Sequence, residues 1–244
     1  MARRVRASGA LGRPAARPPM SVVALVPAGG IGARLGSRTP KQFLAIGGAP
    51  ILVATVTHFV RHPAVGAVVV AAPAAHLDRA RRALDRHRRL GAVTIVPGGQ
   101  TRQESVWLAL QAAPAEARLV LVHDAVRPFI TRGLIDAVLD AARRSGAAIC
   151  ALPVTETVKR VHDGEVEATI DRTGLWTVQT PQAFRAALLR EAHDKARRDG
   201  TVGTDDAALV ERLGHPVKVV RGLETNLKIT TPEDLRRARR MAPR

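Results

Sequence analysis

Ser21-Val22-Val23-Ala24-Leu25-Val26-Pro27-Ala28-Gly29-Gly30-Ile31-Gly32-Ala33-Arg34-Leu35-Gly36-Ser37-Arg38-Thr39-Pro40-Lys41 decides how this chain is read. An unbroken apolar run that ends in glycines predicts a buried strand feeding a loop that a ligand approaches closely. Glycines let backbone N–H groups converge on an anion with no side chain in the way. Arg34 and Lys41 add full positive charges to the same loop. The pattern fits a polyphosphate cradle, and its spacing excludes two common kinds. No Gly-Lys-Ser/Thr closes the loop, so it is not a P-loop. From Gly30 the spacing runs Gly-x-Gly-x-x-x-Gly, too long for a dinucleotide fingerprint. The next strand, near Ala72, also ends without the acidic residue that would hold a ribose. The competing reading is a flexible glycine turn carrying solvated basic residues.

Around this loop the chain has 244 residues, enough for one large domain. Hydrophobic residues make up 46% and aromatics only 2%, so Val, Leu, Ile and Ala must fill the core. No apolar run reaches the ~18 residues of a membrane span. The lone Cys150 lies in an apolar stretch and reads as a small buried hydrophobe in a reducing compartment, which implies a cytoplasmic protein. The net charge of +17 invites a nucleic-acid reading. Only five of the 38 basic residues are Lys, and the Arg residues are scattered without interleaved aromatics. That is a compositional skew rather than a stacking platform, and no nucleic-acid partner is expected. Residues 1–19 are rich in Arg, Ala, Pro and Gly with no acidic residue, and read as a disordered basic extension. The same composition fits a transit peptide, and Met20 fits an alternative start.

Strand and helix patterns alternate along the rest. Strands are expected at 22–26, 65–72, 93–96, 119–122 and 147–152, with helices at 51–60, 74–90, 101–112 and 134–145. This predicts an α/β domain over 20–240 of Rossmann-like type, with a mostly parallel sheet and helices on both faces. Ligands sit beyond the carboxyl ends of such strands. The rhythm changes at about 154–180, where short runs flank Asp163-Gly164, a β-hairpin signal. A hairpin with no core of its own would project as an arm. Helices are expected again at 184–198 and 205–213, strands at 217–220 and 226–230, and a last helix from Pro232.

Three further constellations carry chemistry. His123-Asp124-Ala125-Val126-Arg127-Pro128 follows an apolar strand, so the Asp124 carboxylate stands at a strand end. A hard divalent cation is held by one or two carboxylates plus substrate phosphates, and Asp124 suits that role. Arg127 could meet a phosphate in bidentate fashion, or simply pair with Asp124. His123 has no second ligand at metal spacing and reads as a packing residue. Gly98-Gly99-Gln100-Thr101-Arg102-Gln103-Glu104-Ser105 leads into a helix whose N–H groups could bind a nucleotide or merely be capped. Asn226-Leu227-Lys228 places a cation in an otherwise apolar run, before a helix start at Thr230-Thr231-Pro232-Glu233.

The Gly-rich turn, Arg34-Leu35 and Pro40-Lys41 together resemble the signature loop of sugar-nucleotide-type nucleotidyltransferases. Taken in order with Gly98-Gly99-x-x-Arg102-x-x-Ser105, His123-Asp124-Ala125-x-Arg127-Pro128, Asp171-Arg172-x-Gly-Leu-Trp176, Thr180-Pro181-Gln182, Thr204-Asp205-Asp206 and Asn226-x-Lys228, the chain resembles the 2-C-methyl-D-erythritol 4-phosphate cytidylyltransferase family. The resemblance runs from about Val22 to the last helix. Gly29, Val126 and Gln100-Thr101 depart from the family's more frequent residues without removing a charged group. The resemblance implies the single-function form, with no fused cyclase.

It further implies transfer of a cytidylyl group from CTP to a sugar-alcohol phosphate in the non-mevalonate isoprenoid route, with Mg²⁺ or another divalent cation at Asp124. Arg34, Lys41 and Lys228 would be catalytic. Ala28, Gly29, Gly30, Gly32, Gly99, Ser105 and Asp124 would bind CTP. Arg127, Thr157, Arg172, Thr180 and Thr204 would bind the acceptor. The arm would build a homodimer, with Thr157 and Arg172 acting across it. Two rivals stand beside this reading. A ribitol 5-phosphate cytidylyltransferase shares much of the pattern, and a non-catalytic nucleic-acid-binding module would use the charge instead.

Overall fold

The computed structural model describes residues 22–29, 39–87 and 93–242. Its strands are β1 (Val22–Pro27), β2 (Ala45–Ile46), β3 (Ala49–Pro50), β4 (Ala67–Ala72), β5 (Val93–Pro97), β6 (Leu119–Val122), β7 (Ala147–Pro153), β8 (Val158–His162), β9 (Glu165–Ile170), β10 (Trp176–Arg185) and β11 (Lys218–Arg221). Its α-helices are α1 (Ile51–Val60), α2 (Leu77–Asp85), α3 (Arg102–Gln111), α4 (Arg132–Ser145), α5 (Ala186–Arg198), α6 (Asp206–Glu211) and α7 (Pro232–Met241). The extension 1–19 and the loop segment 30–38 lie outside the described residues.

Every residue of β1 is buried, because it sits inside a seven-stranded sheet ordered β11-β7-β10-β6-β1-β4-β5. Successive side chains leave a strand on opposite faces. Val22, Ala24 and Val26 accordingly join one core with α1, α2 and α4, while Val23 and Leu25 join the other with α3, α5 and α6. Covering on both faces leaves no solvated side, which is why the strand reads as a continuous apolar run. β1 pairs in parallel with β4 and β6, and β4 with β5. The carboxyl ends of β1, β5 and β6 therefore point the same way, and the loops that follow them share one edge.

The arm is an antiparallel hairpin of β8 and β9, separate from the main sheet. Its turn places Asp163 at φ 48° and Gly164 at φ 84°. Both central residues of this two-residue turn need positive φ, which is the reason for Asp-Gly.

Two elements differ from the sequence expectation. The expected helix start at 184 belongs instead to β10, which runs antiparallel between β6 and β7. Its polar residues and Pro181 disguise it, since proline is rare in central strands. The ladder tolerates Pro181 because the register to β7 shifts between Val178 and Gln182. The expected strand at 226–230 is irregular backbone outside the sheet, held by Ile229 N–H donating to the Val126 carbonyl (2.9 Å). Lys218–Arg221 does form the edge strand β11, parallel to β7.

Phe184 is fully buried at the middle of the β6–β10–β7 junction. Phe184→Ala is expected to lower stability by about 3–5 kcal/mol in urea unfolding. A loss under about 1 kcal/mol would show that β10 is not a core strand.

Candidate active site

A cavity of about 440 Å³ opens at the shared strand edge. Pro27, Ala28 and Gly29 line it from the end of β1, Gly99 and Arg102 from the entry to α3, and Asp124 from the end of β6. Lys41 and Lys228 complete the wall. Five sequence segments thus converge on one hollow.

The backbone around the cavity is fixed from behind. Ala28 N–H donates to the Ala71 carbonyl (2.7 Å), and the Ala28 carbonyl accepts from the buried Gln42 side chain (2.7 Å). Thr101 caps α3 by accepting from Glu104 N–H (3.0 Å). The Ser105 hydroxyl donates to the Thr101 carbonyl (2.9 Å) and accepts from Gly99 N–H (3.1 Å). Ser105 is buried, so its hydroxyl shapes the glycine turn from below rather than lining the cavity. A Cβ on Gly99 would fall about 2.2 Å from the flexible Glu104 side chain, which would have to swing aside.

Asp124 is the electrostatic centre. Its Oδ1 accepts from Arg102 Nε (3.1 Å) and its Oδ2 from Lys228 Nζ (2.8 Å), with Arg127 Nε at 3.7 Å. Burial alone would push this carboxyl up, but Arg102, Lys228 and Arg127 together hold it far below the usual carboxylate range. It is therefore a permanent anion. Its backbone N–H donates to the Thr180 hydroxyl (3.0 Å), which lies 3.1 Å from His123 Nδ1. His123 Nε2 lies 3.0 Å from the Arg127 carbonyl. One arrangement satisfies all three contacts: the hydroxyl donates to Nδ1 and Nε2–H donates to the carbonyl. Burial lowers the His123 pKa to about 4, so the ring is neutral, as this arrangement requires. His123 packs on Phe59 with ring centroids 5.0 Å apart, a packing role as its sequence context suggested.

Arg102 reaches past Asp124 to Asp206, where its second guanidinium nitrogen donates across 2.7 Å. Asp206 is buried and also lies 3.0 Å from His193 Nε2. Burial would raise the Asp206 pKa, but Arg102 and His193 overcome it and lower it. The Arg102 side chain is therefore stretched between two carboxylates and keeps its proton.

Lys228 is aimed by two anchors in its own segment. Asn226 is fully buried, and its amide donates to the Thr180 carbonyl (2.8 Å) and to Gln179 (3.2 Å). The Asn226 carbonyl accepts from Arg127 (2.8 Å). Together with the Ile229–Val126 bond, these hold Lys228 over Asp124.

The family model for IspD, 2-C-methyl-D-erythritol 4-phosphate cytidylyltransferase, matches residues 22–242. The chain belongs to the 2-C-methyl-D-erythritol 4-phosphate cytidylyltransferase family. The cytidylyltransferase of Symbiobacterium thermophilum is 50% identical over 222 residues, covering 90% of this chain and 91% of its own. That of Syntrophus aciditrophicus is 46% identical over 216 residues, covering 88% and 92%. The crystal structure of the Thermus thermophilus cytidylyltransferase superposes with a TM-score of 0.75 at 41% identity, covering 91% of this chain and 98% of that one. The protein is thus a nucleotidyltransferase with the mostly parallel α/β sheet that the sequence pattern implied.

Of the residues that the family resemblance singled out, Ala28, Gly29, Lys41, Gly99, Asp124 and Lys228 line the one cavity. Ser105, Arg127 and Thr180 lie buried directly behind it. Thr204 is exposed on the loop before α6, and Thr157 and Arg172 are exposed on the arm. Gly30, Gly32 and Arg34 lie outside the described residues. The sequence reading gave no role to Arg102, Asp206, Gln179 or His193. Arg102 and Asp206 stood inside quoted motifs, but nothing in their spacing shows that residues 104 positions apart pair.

Asp206 has a folded pKa below its ordinary 3.8, so its stabilisation is fully present above that ordinary value and is lost as pH falls from there through the lower folded pKa. Asp206→Asn should cost about 3–5 kcal/mol at pH 7 by breaking a buried pair. It should also flatten the acid limb of the stability–pH curve below about pH 5. An unchanged acid limb would contradict the depressed carboxyl.

Proposed function

We propose that this cavity joins CTP to 2-C-methyl-D-erythritol 4-phosphate, releasing pyrophosphate and 4-diphosphocytidyl-2-C-methyl-D-erythritol. One observation carries the reading. An ionised carboxylate at a strand end is ringed by Arg102 and Lys228, in a cavity that also holds Lys41 and glycine-rich backbone. Such a site binds a polyanion and neutralises charge, which is most of what nucleotidyl transfer asks of a protein. Family membership supports cytidylyl transfer and the acceptor.

In the reaction an acceptor phosphate oxygen attacks the α-phosphorus of CTP. A new P–O bond forms as the bond to the β-phosphate oxygen breaks, and pyrophosphate leaves with that electron pair. The acceptor phosphate is already an anion, so no general base is needed. Arg34, Lys41 and Lys228 would carry the charge that builds on the phosphates. Ala28, Gly29, Gly30, Gly32 and Gly99 would let the nucleotide lie against backbone, with Ser105 fixing the turn. Thr204 would meet the acceptor, while Arg127 and Thr180 would hold Asp124 and the Lys228 segment beneath it.

Among the described residues no cluster of three or more His, Cys, Asp or Glu side chains could hold a metal, and Asp124 is the cavity's only lining carboxylate there. That suits Mg²⁺, which takes one or two carboxylates and leaves its other positions to phosphates and water. Asp124 would hold it, and the bound cation would supply further neutralisation of phosphate charge.

The arm supports a homodimer. Val161, Val166, Trp176 and Val178 expose 42–62% of their surface on and beside it. An apolar face on a thin hairpin wants cover. In the dimer the partner's Thr157 and the partner's Arg172 would reach the acceptor. A cytoplasmic setting accords with the buried free thiol of Cys150.

Purified protein with Mg²⁺ should release pyrophosphate from CTP and methylerythritol phosphate, and chelation should abolish it. Equal or faster turnover with ribitol 5-phosphate would overturn the acceptor assignment. Lys41→Ala should lower kcat by about 100-fold or more while CTP affinity falls less; an unchanged kcat would remove Lys41 from the chemistry. Sedimentation should give a dimer, and a monomer at micromolar concentration would contradict the arm's role.

A further inference from the structure

A second cavity, of about 600 Å³, lies at the opposite edge of the sheet. It opens where β6 begins and β10 ends, Leu119 facing Arg185 in the ladder. Half of its lining is arginine: Arg118, Arg143, Arg185 and Arg190. Lys and Arg together make only 38 of the chain's 244 residues, so the overall skew does not account for this density. The rest of the lining is alanine together with Leu119.

The charges in this cavity are poorly balanced. Arg143 pairs with Asp140 (2.6 Å). Arg118, Arg185 and Arg190 have no carboxylate within ion-pair distance among the described residues. Glu116 is near in sequence but does not line the cavity and pairs with none of them. The segments outside the described residues contain no Asp or Glu, so no acidic side chain from them can fill the gap. Four guanidinium groups around one hollow repel each other and raise the local concentration of anions. Guanidinium groups also take phosphate oxygens in pairs. α5 starts at the same place with no side-chain cap, adding its positive end to the same field.

We propose that this cavity is a second anion site that takes a diphosphate group, separate from the catalytic cavity. Four arginines less Asp140 leave a charge that a diphosphate matches and a single phosphate does not. The two cavities are at opposite ends of β6, on the order of 15 Å apart at the strand rise. The site's existence does not depend on the catalytic reading. The diphosphate could be the free ion or the head of an organic ester lying on the alanine and Leu119 floor.

The test is calorimetric titration of the full chain with inorganic pyrophosphate at low salt. Wild type, Lys41→Ala and the double variant Arg118→Gln/Arg190→Gln are compared. The double variant should lose, or weaken at least tenfold, a binding event that Lys41→Ala retains, and its cytidylyl transfer should stay within twofold of wild type. Pyrophosphate binding indistinguishable from wild type in the double variant would overturn the proposal. Arg118 is exposed and Arg190 half-buried, and a matching thermal midpoint shows that folding is kept. Arg190→Ala alone provides a milder second variant, expected to weaken the same event. Titration with butyl diphosphate separates the two sources: tighter binding than pyrophosphate marks the ester, equal or weaker binding the free ion.

Discussion

The Asp124 carboxylate, held between Arg102 and Lys228, is the interaction on which the rest of this molecule depends. An anion this buried is unfavourable unless it is paired and hydrogen-bonded. Two of its three cationic partners are in turn committed elsewhere, and so is its own N–H. Arg102 is tied to Asp206, Arg127 to the Asn226 carbonyl, and the Asp124 N–H to Thr180. Removing any one leaves another charge or polar group short of a partner. The carboxylate is therefore held stiffly before any ligand arrives, which is what positioning two anions requires, while Lys228 is the cation that can move.

The sheet topology makes that arrangement possible. Parallel pairing of β1 with β4 and β6, and of β4 with β5, gathers three loop-bearing strand ends on one edge. β10 then enters antiparallel beside β6 and brings Thr180 and Gln182 next to the end of that strand. Gln182 donates to Asp205 (2.6 Å), the residue that caps α6, and so links the strand to the Asp206 carboxylate. A central strand carrying this much polar chemistry is stable because its polar side chains find partners.

The fold was legible from the chain wherever burial alone chose the residues. β1, β4, β6 and β7 are apolar throughout because both faces are covered, and the Asp163-Gly164 turn announces its own backbone geometry. β10 was not legible, because Gln179, Thr180 and Gln182 serve contacts with Asn226, Asp124 and Asp205 and Pro181 interrupts the strand pattern. The 226–230 segment misled for the complementary reason. Leu227 and Ile229 look like strand residues but serve to fix Lys228. Family motifs lie in single segments, so they point to most of the charged lining and to the near pair Asp124–Arg127, but not to Arg102 or its distant partner. The Arg102–Asp206 contact joins distant parts of the chain, and spacing carries no trace of it.

Lys228 rests on Asp124 only until a triphosphate takes it. A crystal structure with CTP and Mg²⁺ tests this most directly. Lys228 Nζ should leave its 2.8 Å contact with Asp124 and move onto a phosphate oxygen, while Arg102 keeps Asp206. A triphosphate bound with the Lys228–Asp124 contact intact, or bound outside this cavity, would contradict it.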